Sequence, residues 1–287
     1  MEPAPNQKSK IIIHKSKISR HLLGWIGGGI VGLCLLVALL APVMAPYDPL
    51  MNNLDVTLQS PNETYWLGTD ELGRDVLSRL IYGSRYALTI GVIGTLFGLI
   101  GGVPWGMAAG FYRGRVETVL MRVVDVFLAF PGMLLALAII SVLGTGTINV
   151  IVAVGLFSMP TFARIAHGIV ITIKEMTYVE AAIATGSRTA RIMFKHILPN
   201  SLAPIIVQAS LRVATGILVA AGLSFLGLGI QPPTPEWGAM LSQGRMYVQS
   251  APWLALAPGL CIMVMVMGFN LLGDHLRDRL DPRLKGM

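Results

Sequence analysis

The chain has 287 residues, of which 54% are hydrophobic and 13% charged, and its mean hydropathy is +0.67. This composition excludes an ordinary soluble globular protein, because the apolar residues form long blocks that one aqueous core would not need. The formal net charge of +7 does not point to nucleic-acid binding, since Lys and Arg fall between the apolar blocks, where they set membrane orientation.

Six apolar blocks are each long enough to cross a bilayer as a helix, at about residues 22–45, 86–110, 120–143, 148–168, 202–226 and 253–273. The first block follows a basic start, as a signal peptide would, but its length favours a retained anchor. Lys and Arg are concentrated in both tails and in the connections after the second and fourth blocks, which the positive-inside rule assigns to the cytoplasm. The sequence therefore predicts an all-α integral membrane protein with about six transmembrane helices and both termini inside.

The two long outer connections, residues 46–85 and 227–252, exceed the usual length of a connection between helices. We expect both to fold over the outer mouth of the bundle. The charged stretch 70–75 suits either contact with a partner protein or internal ion pairs, and we favour the ion pairs.

Glycines recur every four residues along the second block, at Gly94, Gly98, Gly102, Gly106 and Gly110. A helix face without side chains allows another backbone to come close. This pattern predicts tight helix packing, which we favour over the lining of a pore.

Two charged residues lie in or beside apolar blocks. Asp125 is one turn beyond Arg122 near the inner surface, and Arg212 lies well inside the fifth block. Charges in a membrane need partners. Either residue can pair within the bundle interior or line a polar path across the membrane, and the sequence alone leaves both roles open.

The cytoplasmic segment 178–200, YVEAAIATGSRTARIMFKHILPN, has the pattern of a helix, a turn and a second helix. Gly186 can take the positive φ that closes a helix, Ser187 is placed to cap the next, and Pro199 should end it. In the second helix one face is apolar, with Ala190, Met193, Phe194 and Ile197, and another is basic, with Arg188, Arg191 and Lys195.

Two interpretations of this segment are equally supported by the residue pattern. A protruding elbow can seat its small residues Ala181 and Ala182 in a partner's groove and offer Glu180 to a partner cation. An amphipathic loop can instead lie on the lipid surface, where its basic face would meet anionic headgroups.

The residues Glu180-Ala181-Ala182, then Gly186, then Leu198-Pro199, with thirteen residues from Gly186 to Pro199, resemble the EAA loop of bacterial ABC-importer permeases. One departure is His196, which stands where the general pattern has Ile, although Ile197 follows it. Three further stretches, LGTDELGRDVLSRLIYGSR at 67–85, QPPTPEWGAML at 231–241 and FNLLGDHLRDRLDPRLKG at 269–286, resemble the C-type permease of oligopeptide, dipeptide and nickel importers. The resemblance covers nearly the whole chain.

The resemblance implies a type I ABC-importer permease fold in a bacterial cytoplasmic (inner) membrane. It implies a cytoplasmic tail at 1–21, the first transmembrane helix with its outer segment at 22–85, a five-helix permease domain at 84–273 that contains the EAA loop at 178–200, and a cytoplasmic tail at 274–287. The implied partners are a second homologous permease in a heterodimer, two ATPase subunits, an extracytoplasmic solute-binding protein and the lipid bilayer, with no nucleic acid.

The implied function is half of a translocation path for di- or oligopeptides, with nickel, a metal chelate or a glutathione-like solute as the alternative cargo. The chain has no GxxxxGK[ST] phosphate loop, so ATP and Mg²⁺ are expected on the partner ATPases, with no cofactor on this chain. The docking residues carried over from the EAA motif are Glu180, Ala181, Ala182 and Gly186, with Arg188 and Arg191 by position and Pro199 at the end of the motif.

No catalytic or metal-binding residues are expected. The five histidines show no HExxH spacing, and no nucleophile with a recognisable base and acid is present. A self-sufficient secondary transporter would show acid relays or inverted repeats, and a membrane-embedded enzyme would need convergent catalytic groups. Both are less well supported than the permease.

Overall fold

The computed structural model describes the backbone of residues 7–280 and the side chains of residues 22–280, and its regular elements are helices. Five helices are long and apolar enough to cross a membrane, and a bent pair, α3 (Gly114–Ala129) with α4 (Gly132–Leu143), makes a sixth crossing if it counts as one span. The five are α1 (Gln7–Met44), α2 (Val76–Tyr112), α5 (Thr147–Lys174), α7 and α8 joined (Thr189–Phe225), and α10 (Trp253–Leu280). The all-α membrane fold is confirmed.

The two predicted tails are partly helical. Helix α1 begins at Gln7 and α10 continues to Leu280, so the helices extend into the stretches 1–21 and 274–287. Residues 1–6 and 281–287 of those tails lie outside the described residues.

The third predicted span, 120–143, is not one helix, and that prediction was wrong. Helices α3 and α4 are bent by 97° relative to each other. The break lies at Phe130, whose φ of −80° and ψ of 137° are extended, because the ring of Pro131 disfavours helical geometry in the residue before it. A hydropathy scan cannot detect this break, since the residues on both sides of it are apolar.

Helix α2 begins at Val76, ten residues before the predicted start at 86. The early start is fixed by Asp75, whose carboxylate accepts hydrogen bonds from the backbone N–H of Ser78 at 2.8 Å and from its hydroxyl at 2.6 Å. This is an N-cap, which satisfies a backbone donor that has no partner inside the helix. The polar first turns of α2 lower the local hydropathy and hide this start from a sequence scan.

The glycine face of α2 packs against α5, as predicted. A Cβ atom on Gly98 would lie 2.7 Å from the carbonyl oxygen of Gly155, and one on Gly106 would overlap the carbonyl of Ala163. Backbone atoms cannot yield as a flexible side chain does, so side chains on this face would force the two helices apart. The four-residue spacing is a packing signal, as we favoured over a pore lining.

Gly106→Val is expected to destabilise the folded chain by about 3 kcal/mol, since overpacking against a rigid backbone costs at least about 1–3 kcal/mol. Thermal unfolding of the detergent-purified protein measures this. Gly32→Val is the matched control, because it places the same residue in a helix where a Cβ meets nothing within 4 Å. Equal melting temperatures for the two variants would contradict the proposed role of the α2–α5 contact.

Ion pairs hold the outer segment between α1 and α2, which was the role we favoured for residues 70–75. Asp70 accepts from Nε of Arg74 at 2.6 Å and lies 3.4 Å from Nε of Arg79. Arg79 also donates from Nη1 to the carbonyl oxygens of Pro49 at 3.0 Å and Pro233 at 3.3 Å. One guanidinium therefore joins both outer segments to the start of α2.

The second outer segment is also fixed to the bundle through the short helix α9 (Trp237–Gly244). The indole N–H of Trp237 donates to the carbonyl oxygen of Leu80 at 3.0 Å, and the carboxyl of Glu236 accepts from the backbone N–H of Ala239 at 2.8 Å. Burial raises the pKa of Glu236. The two outer segments thus form one cap over the outer end of α2.

Candidate functional site

The cytoplasmic loop consists of α6 (Thr177–Ala184), a turn at Gly186 and the start of α7 (Thr189–Arg191). Gly186 has a φ of +72°, as predicted. Its N–H donates to Ile183 at 3.0 Å and the N–H of Ser187 donates to Ala182 at 3.1 Å, which satisfies carbonyls at the end of α6. The sequence and the structure agree on a sharp corner at this glycine.

Ser187 does not cap the second helix, so that expectation was wrong. The N-cap position falls on Arg188, and no side chain makes a capping hydrogen bond there. The backbone of Ser187 is held by the turn itself, and the chain enters α7 one residue later than the pattern suggested.

Pro199 does not end the second helix, which is the other correction. Residues Ile192–Ile197 form a π-helical stretch that joins α7 to α8 (Leu198–Phe225), and Pro199 lies in the first turn of α8. The N–H of Leu198 donates five residues back, to Met193. Because the wider π-helical turn displaces the hydrogen-bond ladder, a proline that lacks an N–H is accommodated without a break.

The π-helical stretch also changes which residues of the loop are buried. Val179 is fully buried, and Ile192 and Ile197, five residues apart, are 2% and 0% exposed. Ala190 and Phe194, which a regular helix would have turned inward, are exposed. His196 lies with its ring centroid 6.3 Å from that of Tyr178, and the neighbouring Ile197 provides the apolar contact that the motif requires.

The exposed part of the loop carries both apolar and charged residues. Glu180 and Ala181 are exposed on it, and Ala182 is half-buried beside them. Glu180, Arg188 and Arg191 have no ion-pair partner among the described residues. The loop also exposes the apolar side chains of Met176, Tyr178, Ile183 and Phe194, and we call these four with Glu180 the loop surface. The last helix of the loop runs directly into α8, so a force on this surface acts on a membrane-spanning helix.

The structure places Arg212 and Asp125 apart from the loop. Arg212 is half-buried in α8, where Nη2 donates to the hydroxyl of Thr161 at 2.7 Å and the guanidinium lies 5.5 Å from the ring centroid of Phe157. Asp125 forms an ion pair with Arg164 on α5, and the two side chains are 51% and 50% exposed. Asp125 is therefore not buried in the interior of this chain.

Sequence reasoning missed two further side-chain contacts on the cytoplasmic side. Glu117 lies 2.7 Å from the ring Nε2 of His167, and Arg113 lies 2.7 Å from Glu175. These pairs attach α3 and the end of α2 to α5. Their members are 50 to 62 residues apart in the chain, so no local pattern signals them.

Comparison with known proteins places the chain among transport components. The family model of the "binding-protein-dependent transport system inner membrane component" matches residues 102–286, and that of the "N-terminal TM domain of oligopeptide transport permease C" matches residues 16–61.

Curated relatives match along nearly the full length. The dipeptide transport system permease protein of Alkalihalophilus pseudofirmus is 44% identical over 269 residues, which cover 94% of this chain and 88% of that protein. The glutathione transport system permease protein of Pectobacterium atrosepticum is 46% identical, covering 88% and 84%. The di/tripeptide transport system permease protein of Pseudomonas aeruginosa is 47% identical, covering 90% and 88%.

Among solved structures, the inward facing MetNI methionine ABC transporter contains a chain that matches with a TM-score of 0.59 and 18% identity, over 71% of this chain and 97% of that chain. This likeness concerns the fold. Together with the family match, it makes this chain a non-catalytic, multi-pass protein of the bacterial cytoplasmic membrane whose ATPase is a separate subunit. The chain belongs to the binding-protein-dependent transport system inner membrane components, the permease subunits of bacterial ABC importers.

Proposed function

We propose that this permease forms half of a path for di- and oligopeptides, pairs with a second homologous permease as a heterodimer, and couples to ATP hydrolysis through the EAA loop. Two ATPase subunits would bind ATP and Mg²⁺, and an extracytoplasmic binding protein would deliver the solute. The observation that carries the coupling role is the loop surface, where a corner fixed by the turn at Gly186 exposes both Glu180 and four apolar side chains.

The rigidity of the corner supports docking over simple lipid contact. Val179, Ile192 and Ile197 fasten the loop to the inner ends of α5 and α8, while Tyr178 and Phe194 stay 41% and 68% exposed. A partner groove gains apolar contact from such side chains and can pair Glu180 with a cation. An anionic lipid surface would repel that carboxylate, although it would attract Arg188 and Arg191.

Alternating access follows from this arrangement. ATP-driven closure of the two ATPases would pull the loops of both permeases together, and because the loop of this chain continues into a spanning helix, that helix would move with it as a rigid body. Hydrolysis would release the loops and reset the path. The docking residues in this scheme are Glu180, Ala181, Ala182 and Gly186, supported by Arg188, Arg191 and Pro199.

The cargo proposal rests on the relatives. Two of them are named for dipeptide or di/tripeptide transport and one for glutathione transport, so a short peptide is the first candidate and a glutathione-like solute the second. A nickel or metal-chelate cargo has less support, and within residues 22–280 no three His, Cys, Asp or Glu side chains are grouped to hold a metal.

Glu180→Lys is expected to weaken association with the ATPase at least tenfold, because it reverses the charge of the carboxylate on the loop surface. The measurement is co-purification of tagged permease with its ATPase from solubilised membranes, with membrane insertion followed in parallel. Glu63→Lys, the same change on the outer segment, is the control and should assemble normally. Unchanged ATPase affinity in the Glu180 variant would contradict the docking role.

A further inference from the structure

A cleft of about 720 Å³ runs between α5, α8 and α10 on the cytoplasmic half of the bundle. Its polar lining comes from Thr172 of α5, Asn200 and Gln208 of α8, and Arg277 of α10. Ile165 and Leu211 line its deepest part, roughly two to four helical turns from the cytoplasmic ends of their helices. Its volume falls in the range of sites that hold small molecules.

The described residues that line this cleft include a positive charge and no negative charge. Among the residues of 22–280 that line it, Arg277 is the only ionisable one and none is acidic. Gln208 has no hydrogen-bond partner for its side-chain amide among the described residues, and none of its atoms is both buried and unsatisfied, so the amide faces open space. A membrane-embedded cleft with these groups favours an anionic or zwitterionic solute over a cation.

Arg212 is not one of the residues that line the cleft but lies just beyond its deep end. Its hydrogen-bond partner Thr161 is one helical turn outward of Ile165 on the same face of α5, and Arg212 itself is one turn outward of Gln208 on α8. The guanidinium is thus held beyond the last lining residues, near the middle of both spans.

The charge of Arg212 is not neutralised by the described residues. One of its five N–H groups donates to Thr161, the ring of Phe157 offers a weak cation–π contact, and no carboxylate is within ion-pair distance. The nearby Arg164 differs, because Asp125 already neutralises it. A charge at mid-membrane depth without a counter-ion is costly and marks a functional position.

We propose that this cleft is a transit site for solutes that carry a free carboxylate and that Arg212 binds that carboxylate. The inference rests on the proposed peptide-importer function, and it assigns part of cargo contact to this chain. A guanidinium and a carboxylate form a bidentate pair of charge-assisted hydrogen bonds. The side-chain amide of Gln208, one helical turn away, is placed to bind the adjoining peptide group. A lipid phosphate is the less suitable occupant, because headgroups lie at the membrane surface and Arg212 lies near the centre of its helix.

The test uses the complete permease–ATPase complex in phosphatidylcholine nanodiscs without the solute-binding protein, so that selection by that protein does not intervene. Saturation-transfer NMR detects weak binding of alanylalanine and, in parallel, of alanylalanine amide, which lacks the carboxylate. Wild-type complex should give a signal for the acid at least fivefold larger than for the amide. Arg212→Gln should remove this preference, and Arg212→Lys, which keeps the charge, should retain part of it.

Arg245→Gln is the matched control, since Arg245 is exposed on the outer segment, lies over the ring of Phe225 and has no ion pair among the described residues. It should leave the preference for the acid unchanged. Equal signals for acid and amide in wild type, or an unchanged preference in Arg212→Gln, would overturn the proposal. Loss of the acid signal when phosphatidylglycerol is added would overturn it in favour of a lipid occupant.

The result can be separated from a failure of the proposed function. Wild-type complex that assembles with its ATPase but shows no preference for the acid contradicts the carboxylate site alone. Absence of any ATPase from the purified complex contradicts the importer proposal itself. Should Arg212→Gln fail to assemble, the preference measured in wild type and in Arg212→Lys decides the question.

Discussion

Replacing Gly186 with valine is expected to lower ATP-driven transport at least tenfold while ATP hydrolysis by the assembled complex continues. The φ of Gly186 is +72°, a conformation that costs an L-residue about 1–2 kcal/mol and a β-branched residue more. A Cβ there meets nothing within 4 Å, so the effect comes from backbone strain and not from a clash. Relief of the strain would rotate α6 against α7 and displace Glu180 from its partner. Uptake and hydrolysis, measured together in proteoliposomes with all subunits, report the uncoupling.

Two controls make this prediction specific. Gly227→Val introduces the same strain, at a φ of +77° and with equally open surroundings, but on the outer side of the membrane. It should transport normally. Gly186→Asn should also stay close to wild type, because asparagine tolerates this conformation better than other residues. Normal transport by Gly186→Val, or an equal loss in Gly227→Val, would contradict the role of the turn.

Features that depend on local sequence were predicted well. The apolar blocks, the glycine face of α2 and the positive φ of Gly186 follow from the residues themselves and their spacing. Helix formation in a membrane is largely forced, because every backbone polar group must be satisfied within its own segment. The hydropathy pattern therefore predicts most of the membrane-spanning helices.

The errors arose where the backbone departs from the regular helix that hydropathy and helical spacing predict. Pro131 breaks the third span although both sides are apolar, and the π-helical stretch Ile192–Ile197 lets the chain pass Pro199 without a break. A regular helical period then assigned Phe194 to the buried face, whereas the wider turn exposes it. The helical period assumed from sequence does not allow for the extra residue of a π-helical turn.

Pairings between distant segments were also beyond the sequence. The contacts of Arg79 with Pro233 and of Arg212 with Thr161 join residues 154 and 51 positions apart. A charge count shows that such groups need partners but does not say which. This matters most for Arg212, because only the structure shows that none of the described carboxylates pairs with its guanidinium.

Asp70→Asn is expected to destabilise the protein by about 3–5 kcal/mol, the usual cost of removing one partner from a buried charge pair. Asp70 is 5% exposed, and its carboxylate accepts backbone N–H groups of Leu72 and Arg74 at 2.9 Å each and neutralises two arginines that are each 1% exposed. Asparagine preserves the size but leaves Arg74 with only Glu71, at 3.3 Å, and leaves Arg79 without an ion-pair partner among the described residues. Thermal unfolding in detergent measures the loss.

The same substitution should loosen both outer segments together, because Arg79 binds carbonyls in each of them. Limited proteolysis is therefore expected to cut residues 46–75 and 226–252 at similarly increased rates. Asp55→Asn is the matched control, since Asp55 is exposed on the same segment and makes only a backbone hydrogen bond. Cleavage confined to the first segment would show that Arg79 does not link the two, and equal melting of both variants would contradict the buried ion pair as a determinant of stability.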